Sequence, residues 1–352
     1  MREKRQREYV EKFLDSEGGI LNLCPRFGKT KVGIDILKEL NSDKVLIAYP
    51  DINIKSSWEQ EMKRLHYANP NVVFTSFLSL KKHVQSSWDI IIVDEIHLLS
   101  GAQILELDKY KGLILGMTGT LSSDTERIFR ESLDLRVIAK YPMEQAIKEG
   151  VVCDYEINVK LCKLDNKIKK EYKTKTRTEK EQFEAYGKVI EKLSKEGKDP
   201  FFLRLARMRI IQSSIGKINA TRELLDKFED ERVLVFCGLI DTANTLGCPV
   251  FSSKSSGNQL KDFASGKGSH LAVVKLGNTG ITYKPLNKVV INYFDSNPEN
   301  LAQKINRCMS MEYGNPEKKA SIWLICTDEQ VEIKWLKKAL EFFESSKIKY
   351  ES

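Results

Sequence analysis

Short, largely apolar runs at residues 20–23, 44–49, 72–75, 89–93 and 113–117 punctuate the first third of the chain. They are of strand length and lack the alternation of a half-exposed strand, which predicts strands buried on both faces. The stretches between them read differently. After the first run, residues 31–40 place Gly33, Ile36, Leu37 and Leu40 on one side of a helix. Buried strands separated by amphipathic helices predict an α/β doubly wound parallel sheet. From 163 to 199 the pattern changes to Lys and Glu with few large apolar residues, as in exposed helices or a linker. The alternation resumes near 215, with apolar runs at 233–237, 271–274, 288–293 and 321–325, and predicts a second sheet. Val331, Trp335, Ala339, Phe342 and Phe343 then recur at helical spacing and predict a stripe turned to the core. The expected organisation is an α/β domain at 1–150, a charged helical linker or insertion at 151–212, and a second α/β domain at 213–352.

Composition narrows this picture only in places. A length of 352 residues suits two domains rather than one core. No apolar run nears the roughly 18 residues of a membrane span, and Met1-Arg2-Glu3-Lys4-Arg5 lacks the apolar core of a signal peptide. The expectation is a cytoplasmic protein without membrane association. Seven scattered cysteines, never in a Cys-x-x-Cys pair, predict reduced thiols rather than zinc ligands or disulfides. The net charge of +8 fits a polyanionic partner.

Two strings carry candidate chemistry. Behind the first apolar run stands Cys24-Pro25-Arg26-Phe27-Gly28-Lys29-Thr30. A Gly-Lys-Thr at a strand-to-helix turn aims helix amides at phosphate, adds the Lys29 charge, and offers the Thr30 hydroxyl to Mg²⁺. The fourth run ends in Asp94-Glu95. Adjacent carboxylates at the carboxyl end of a buried parallel strand stand where such sheets bind ligands. Asp94 suits a Mg²⁺ ligand, and Glu95 a base for water. Together the strings read as the two halves of a nucleotide triphosphatase site.

At this level of detail the chain resembles a superfamily 2 helicase or translocase core of two RecA-like domains. Asp94-Glu95-Ile96-His97 resembles a DExH-type motif II, and Thr118-Gly119-Thr120 the motif III that couples hydrolysis to movement. Tyr49-Pro50 with Trp58 resembles motif Ia, and the segment from Phe74 to Leu80 a backbone-contacting Thr-x-x-Ser-Leu element. In the second half, residues 233–237 resemble motif IV, 275–282 motif V, and Gln303-Lys304-Ile305-Asn306-Arg307 motif VI. The wording there is closest to the branch containing chromatin remodellers and their phage and bacterial relatives.

The resemblance implies ATP and Mg²⁺ as cofactors. Gly28, Lys29 and Thr30, with Arg26 and Gly280 nearby, would hold nucleotide, and Gln6 stands where the family places an adenine-reading glutamine. Thr30 and Asp94 would hold Mg²⁺, and Glu95 would activate water. Gln303 and Arg307 would reach the γ-phosphate, and Thr118 and Thr120 would couple the site to movement. Nucleic acid, DNA ahead of RNA, would be gripped by Thr75, Ser76, Ser252, Ser253, Lys254, Lys275, Thr279 and Thr282. The implied activity is a nucleic-acid-dependent ATPase that unwinds, translocates on or remodels DNA as a monomer, a protein partner supplying specificity. Departures from the family leave a second reading open. Arg26 and Phe27 replace small residues of the phosphate loop, and Ser310 stands where motif VI carries a second arginine. Ser310 favours a nucleotide-switched clamp or annealing factor with weak turnover. A viral packaging motor, whose phosphate loops also carry basic residues, would need a nuclease domain in place of motifs V and VI.

Overall fold

A computed structural model describes residues 2–172, 175–255, 257–274, 283, 286–312, 315 and 317–351. By contact density the chain falls into two compact units, divided in the main between Cys153 and Asp154.

The first unit runs α1 (Arg2–Leu14), β1 (Gly19–Leu23), α2 (Lys29–Leu40), β2 (Val45–Tyr49), α3 (Ile52–Arg64), β3 (Val72–Ser76), β4 (Ile90–Asp94), α4 (Gly101–Leu107), β5 (Leu113–Thr118), α5 (Ser123–Leu133), β6 (Val137–Tyr141) and α6 (Met143–Lys148). Its six strands are all parallel, in the order β3-β2-β4-β5-β1-β6. Every residue of β2 and β4 is buried, as the unbroken apolar runs require. Turn chemistry sets the helix ends. Gly28 caps α2 at φ 97°, a left-handed conformation that suits glycine, and the Ser122 hydroxyl accepts from the Thr125 amide to start α5.

The second unit runs β7 (Asp154–Cys162), β8 (Lys170–Tyr172), β9 (Lys175–Arg177), α7 (Glu179–Lys195), α8 (Phe201–Gln212), α9 (Ile215–Lys227), β10 (Val233–Cys237), α10 (Ile240–Asn244), β11 (Val250–Phe251), α11 (Asn258–Ser265), β12 (His270–Val274), β13 (Lys288–Ile291), α12 (Pro298–Ile305), β14 (Lys319–Thr327), α13 (Gln330–Ala339) and β15 (Ile348–Glu351). Seven parallel strands form its sheet in the order β11-β12-β10-β13-β14-β7-β15, and β8 and β9 make a separate antiparallel hairpin. Two parallel-sheet α/β domains are therefore present, as the apolar pattern predicts. The second sheet, however, takes β7 from the stretch read as a linker, so that stretch is in part integral to the second domain.

A fully buried ion pair ties the second unit together. Lys217 Nζ of α9 donates to Glu332 Oε1 of α13 at 2.6 Å, and Glu332 Oε2 accepts from the amide and hydroxyl of Thr327 at 2.7 and 2.6 Å. The expected stripe after β14 splits by depth. Ala339 and Phe343 are buried, Val331 and Trp335 pack partly buried against Leu164, Phe183, Ile210 and Ile211, and Phe342 faces out. Among the described residues no helix is long and apolar enough to cross a membrane. All seven cysteines are free thiols.

Candidate active site

Three adjacent strand ends build the site in the first unit. The order β4-β5-β1 brings the carboxyl ends of β4, with Asp94 and Glu95, and of β5, with Thr118, beside the loop that leaves β1 for α2. That loop, residues 24–28, is shaped by two left-handed residues, Arg26 at φ 70° and Gly28 at φ 97°. Between them Phe27 is fully buried, its ring 4.5 Å from that of Tyr141 on β6 and 5.6 Å from that of Tyr9 on α1. Its carbonyl accepts from Gln6 Nε2 and Arg2 Nε, both at 2.8 Å. The bulky loop residue thus anchors the turn to two neighbouring elements, a job glycines cannot do. Gln6 is buried with its amide on the phosphate-type loop, and a Cβ at position 28 would lie 2.7 Å from its Nε2.

At the head of α2, Lys29 Nζ donates to Glu95 Oε1 at 3.1 Å. Glu95 itself adopts a left-handed backbone at φ 53°, and its Oε2 lies 3.5 Å from His97 Nδ1. His97 Nδ1 is 2.8 Å from Thr118 Oγ1, and the Thr118 hydroxyl donates to the Thr120 carbonyl at 2.6 Å. The single hydroxyl proton being committed to Thr120, the ring nitrogen is the donor to Thr118. Lysine, carboxylate, imidazole and hydroxyl form one continuous polar chain from the phosphate-type loop to the end of β5.

Asp94 is held apart from that chain. It is buried, with Oδ2 accepting the indole N–H of Trp58 at 2.8 Å and Oδ1 accepting the Glu95 amide at 3.0 Å. Burial, and then the Glu95 charge, push its carboxyl up to about 6, against the opposing pull of Lys29 and the Trp58 bond. Each oxygen retains a lone pair for a cation, and a cation would relieve the desolvation that raises the carboxyl. With the Thr30 hydroxyl at the second residue of α2, this donor set of oxygens fits Mg²⁺. Trp58 is placed in turn by Gly33 of α2, where any Cβ would lie 2.7 Å from the indole ring.

The other expected residues scatter. Thr75 is buried with its hydroxyl on the Ser76 carbonyl at 3.3 Å, and Ser76 is half-buried. In the second unit Ser252 is buried and accepts the Lys254 amide at 3.3 Å, whereas Ser253 and Lys254 are exposed. Gln303 lies on α12 and Arg307 in the turn after it, both half-buried. Lys275, Thr279, Gly280 and Thr282 lie outside the described residues. Trp58 and His97 were visible in the sequence only as parts of motifs, and their roles as partners of Asp94 and of Glu95 and Thr118 come from the fold.

No protein-family model matches the chain. Over 259 residues it is 22% identical to the DNA 3'-5' translocase XPB2 of Sulfurisphaera tokodaii, an alignment covering 66% of this chain and 59% of that relative. Among solved structures, the Type ISP restriction-modification enzyme LlaBIII bound to DNA superposes with a TM-score of 0.63 at 13% identity, over 98% of this chain and 31% of that one. The Hef helicase domain of Pyrococcus furiosus gives a TM-score of 0.52 at 13% identity, over 96% of this chain and 98% of the domain. The chain has the fold of these helicases, two RecA-like domains. The polar chain from Lys29 to Thr118 lies within the first RecA-like domain, and α12 lies within the second. The chain spans 59% of the XPB2 relative and 31% of LlaBIII.

Proposed function

We propose that this chain is a nucleic-acid-dependent ATPase that translocates on, unwinds or remodels DNA. The observation that carries the reading is the Lys29–Glu95 contact beside a buried Asp94 with a raised carboxyl, at the carboxyl edge of a parallel sheet. The Lys29 charge is paired with Glu95. An incoming phosphate would take the lysine and release Glu95 Oε1 toward the space beside it, so that the base becomes available only when substrate is bound. His97, donating to Thr118 and lying 3.5 Å from Glu95 Oε2, would link the position of that carboxylate to β5 and Thr120, the coupling element. Gly28 and the first amides of α2 would cradle the phosphates, Arg26 adding a cation at the loop. Mg²⁺ held by Thr30 and Asp94 would neutralise charge on the transferred phosphate.

Gln303 and Arg307, on the second RecA-like domain, would act on the γ-phosphate, a role in which an arginine contributes roughly 10³ to 10⁵ in rate. Gln6 would face the adenine. Ser76, Ser253 and Lys254, with Lys275, Thr279 and Thr282, would contact the nucleic-acid backbone and carry no sequence information. Thr75 and Ser252, buried as they are, would support these loops. The sequence match to a DNA translocase favours DNA over RNA. Ser310 favours the alternative, a nucleotide-switched clamp with weak turnover.

Titration with a fluorescent ATP analogue tests the site. Wild type should bind in a Mg²⁺-dependent manner, and Lys29→Ala should lose at least about tenfold in affinity, the charge-assisted phosphate contact being worth roughly 1.5–3 kcal/mol. Equal affinity in the two proteins would remove Lys29, and with it this site, from nucleotide binding.

A further inference from the structure

The segment from 163 to 212 has no part in the nucleotide site, yet it is built as a two-helix arm. α7 and α8 pack against each other and are joined by the turn 196–200. Their base is welded to the second domain. The buried Glu179 carboxylate accepts from the amides of Asp165 and Ile215 at 3.2 Å and from Lys170 Nζ at 2.7 Å, and Lys180 pairs with Glu329 at 2.6 Å. Phe183, Ile210 and Ile211 share a core with Leu164, and the Arg207 guanidinium lies 4.0 Å above the Phe183 ring. Beyond that base the arm stands in solvent. From 184 to 209 Pro200 alone is buried. The 17 residues of α7 span about 25 Å.

At the far end two adjacent phenylalanines face outward. Phe201 is 52% and Phe202 81% exposed, their ring centroids 5.6 Å apart and their planes at 73°. Exposing two large rings side by side has a cost that a solvated linker has no reason to bear. Around the tip Lys192, Lys195, Lys198 and Arg204 stand with Glu191, Glu196 and Asp199, which pair with Lys195, Lys198 and Arg204, and Lys188 and Arg209 extend the basic flank toward the base.

We propose that the arm tip is a stacking platform for unpaired nucleic-acid bases, with the basic flank holding the backbone that carries them. Any base offers a flat face to an exposed ring, so such a platform binds without sequence preference, as a motor on arbitrary sequence requires. Paired bases cannot reach the rings, which makes the target a single strand or a junction where strands part. A protein partner fits less well, because a stable interface needs about 800 Å² per side and the rings here are an isolated pair among charges. The proposal rests on the nucleic-acid reading above.

The test compares wild type with Phe201→Leu/Phe202→Leu, which keeps apolar bulk and removes the rings, using fluorescein-labelled forked DNA, single-stranded DNA and blunt duplex at low salt. Matched thermal melts establish that the variant folds. The double variant should lose about tenfold to a hundredfold in affinity for fork and single strand and hold blunt duplex unchanged. In Phe202→Trp, emission at 202 should be quenched by single-stranded DNA. Unchanged affinity for fork and single strand, equal loss on blunt duplex, or unquenched emission would each overturn the platform. So would a variant whose only change is lost self-association in sedimentation. If wild type binds none of the three DNAs, the proposed function falls and this inference falls with it. If wild type binds and the variant binds equally, this inference alone falls.

Discussion

Gly33→Ala is the substitution whose outcome the site geometry fixes most sharply. By helix propensity alone it should stabilise α2 by roughly 0.8–1 kcal/mol. The fold dictates the opposite sign. The added Cβ would lie 2.7 Å from the Trp58 ring and 3.4 Å from Met117 Sδ, and Trp58 is fully buried with its indole N–H on Asp94 at 2.8 Å. The ring must move by well over half an ångström to reach ordinary contact. Overpacking of this kind costs about 1–3 kcal/mol, and weakening an N–H bond to a buried carboxylate about 1.5–3 kcal/mol more. Net destabilisation of about 2 kcal/mol is expected, or roughly 4–8 °C in the melting transition of a unit this size. Asp94, losing its donor, should also titrate higher and hold Mg²⁺ less well. Calorimetric melts of wild type, Gly33→Ala, Trp58→Phe and the double variant check the reasoning. Because Trp58→Phe removes the ring atoms that meet the methyl, the double variant should be more stable than additivity allows by at least about 1 kcal/mol. A Gly33→Ala protein as stable as wild type, or strict additivity, would refute the proposed coupling of helix packing to the metal ligand.

Other outcomes follow from the same structure. Lys217→Met strands the buried Glu332 carboxylate and should cost about 3–5 kcal/mol in denaturant melts, with Glu332→Gln in the same chain recovering at least about 1 kcal/mol. Phe27→Ala empties the site between Tyr9 and Tyr141, should lower stability by about 3–5 kcal/mol, and should weaken binding of a fluorescent ATP analogue. Asp94 gives a signed pH dependence. Its folded-state carboxyl near 6 lies above the ordinary value near 4. Its contribution to stability is therefore present in full below about 4 and lost as pH rises through 6, while cation binding runs the other way. A Mg²⁺-induced rise in melting temperature should appear above pH 6 and fade below it, and Asp94→Asn should abolish it at every pH.

Much of the fold was legible because parallel strands covered on both faces write themselves as continuous apolar runs. β2, β4, β10 and β12 were marked in this way. β7 and β15 were not, for opposite reasons. β7 mixes Asp, Glu, Asn and Lys into its length and runs straight into the Lys and Glu stretch, so composition masked it. β15 is an edge strand with three of its four residues exposed, and its Lys and Glu, which suit an edge, hide it from an apolar search. In the site, the lysine and the two carboxylates were visible as strings. The bond from Trp58 to Asp94, 36 residues away, and the bridge from His97 to Thr118 exist only once strands order β4-β5-β1 side by side. Phe27 read as a departure from a glycine-type loop. Its aromatic cage shows why it is there.

The most direct test of the central claim is steady-state ATP hydrolysis by wild type and Glu95→Gln, alone and with single-stranded DNA, duplex DNA, forked DNA or RNA at low salt. A nucleic-acid-dependent motor predicts turnover that rises at least about tenfold with DNA and is abolished in Glu95→Gln, the base being worth roughly 10²–10⁴ in rate. Tight binding of ATP and DNA by wild type with no stimulated turnover on any of them would contradict the motor and leave the clamp.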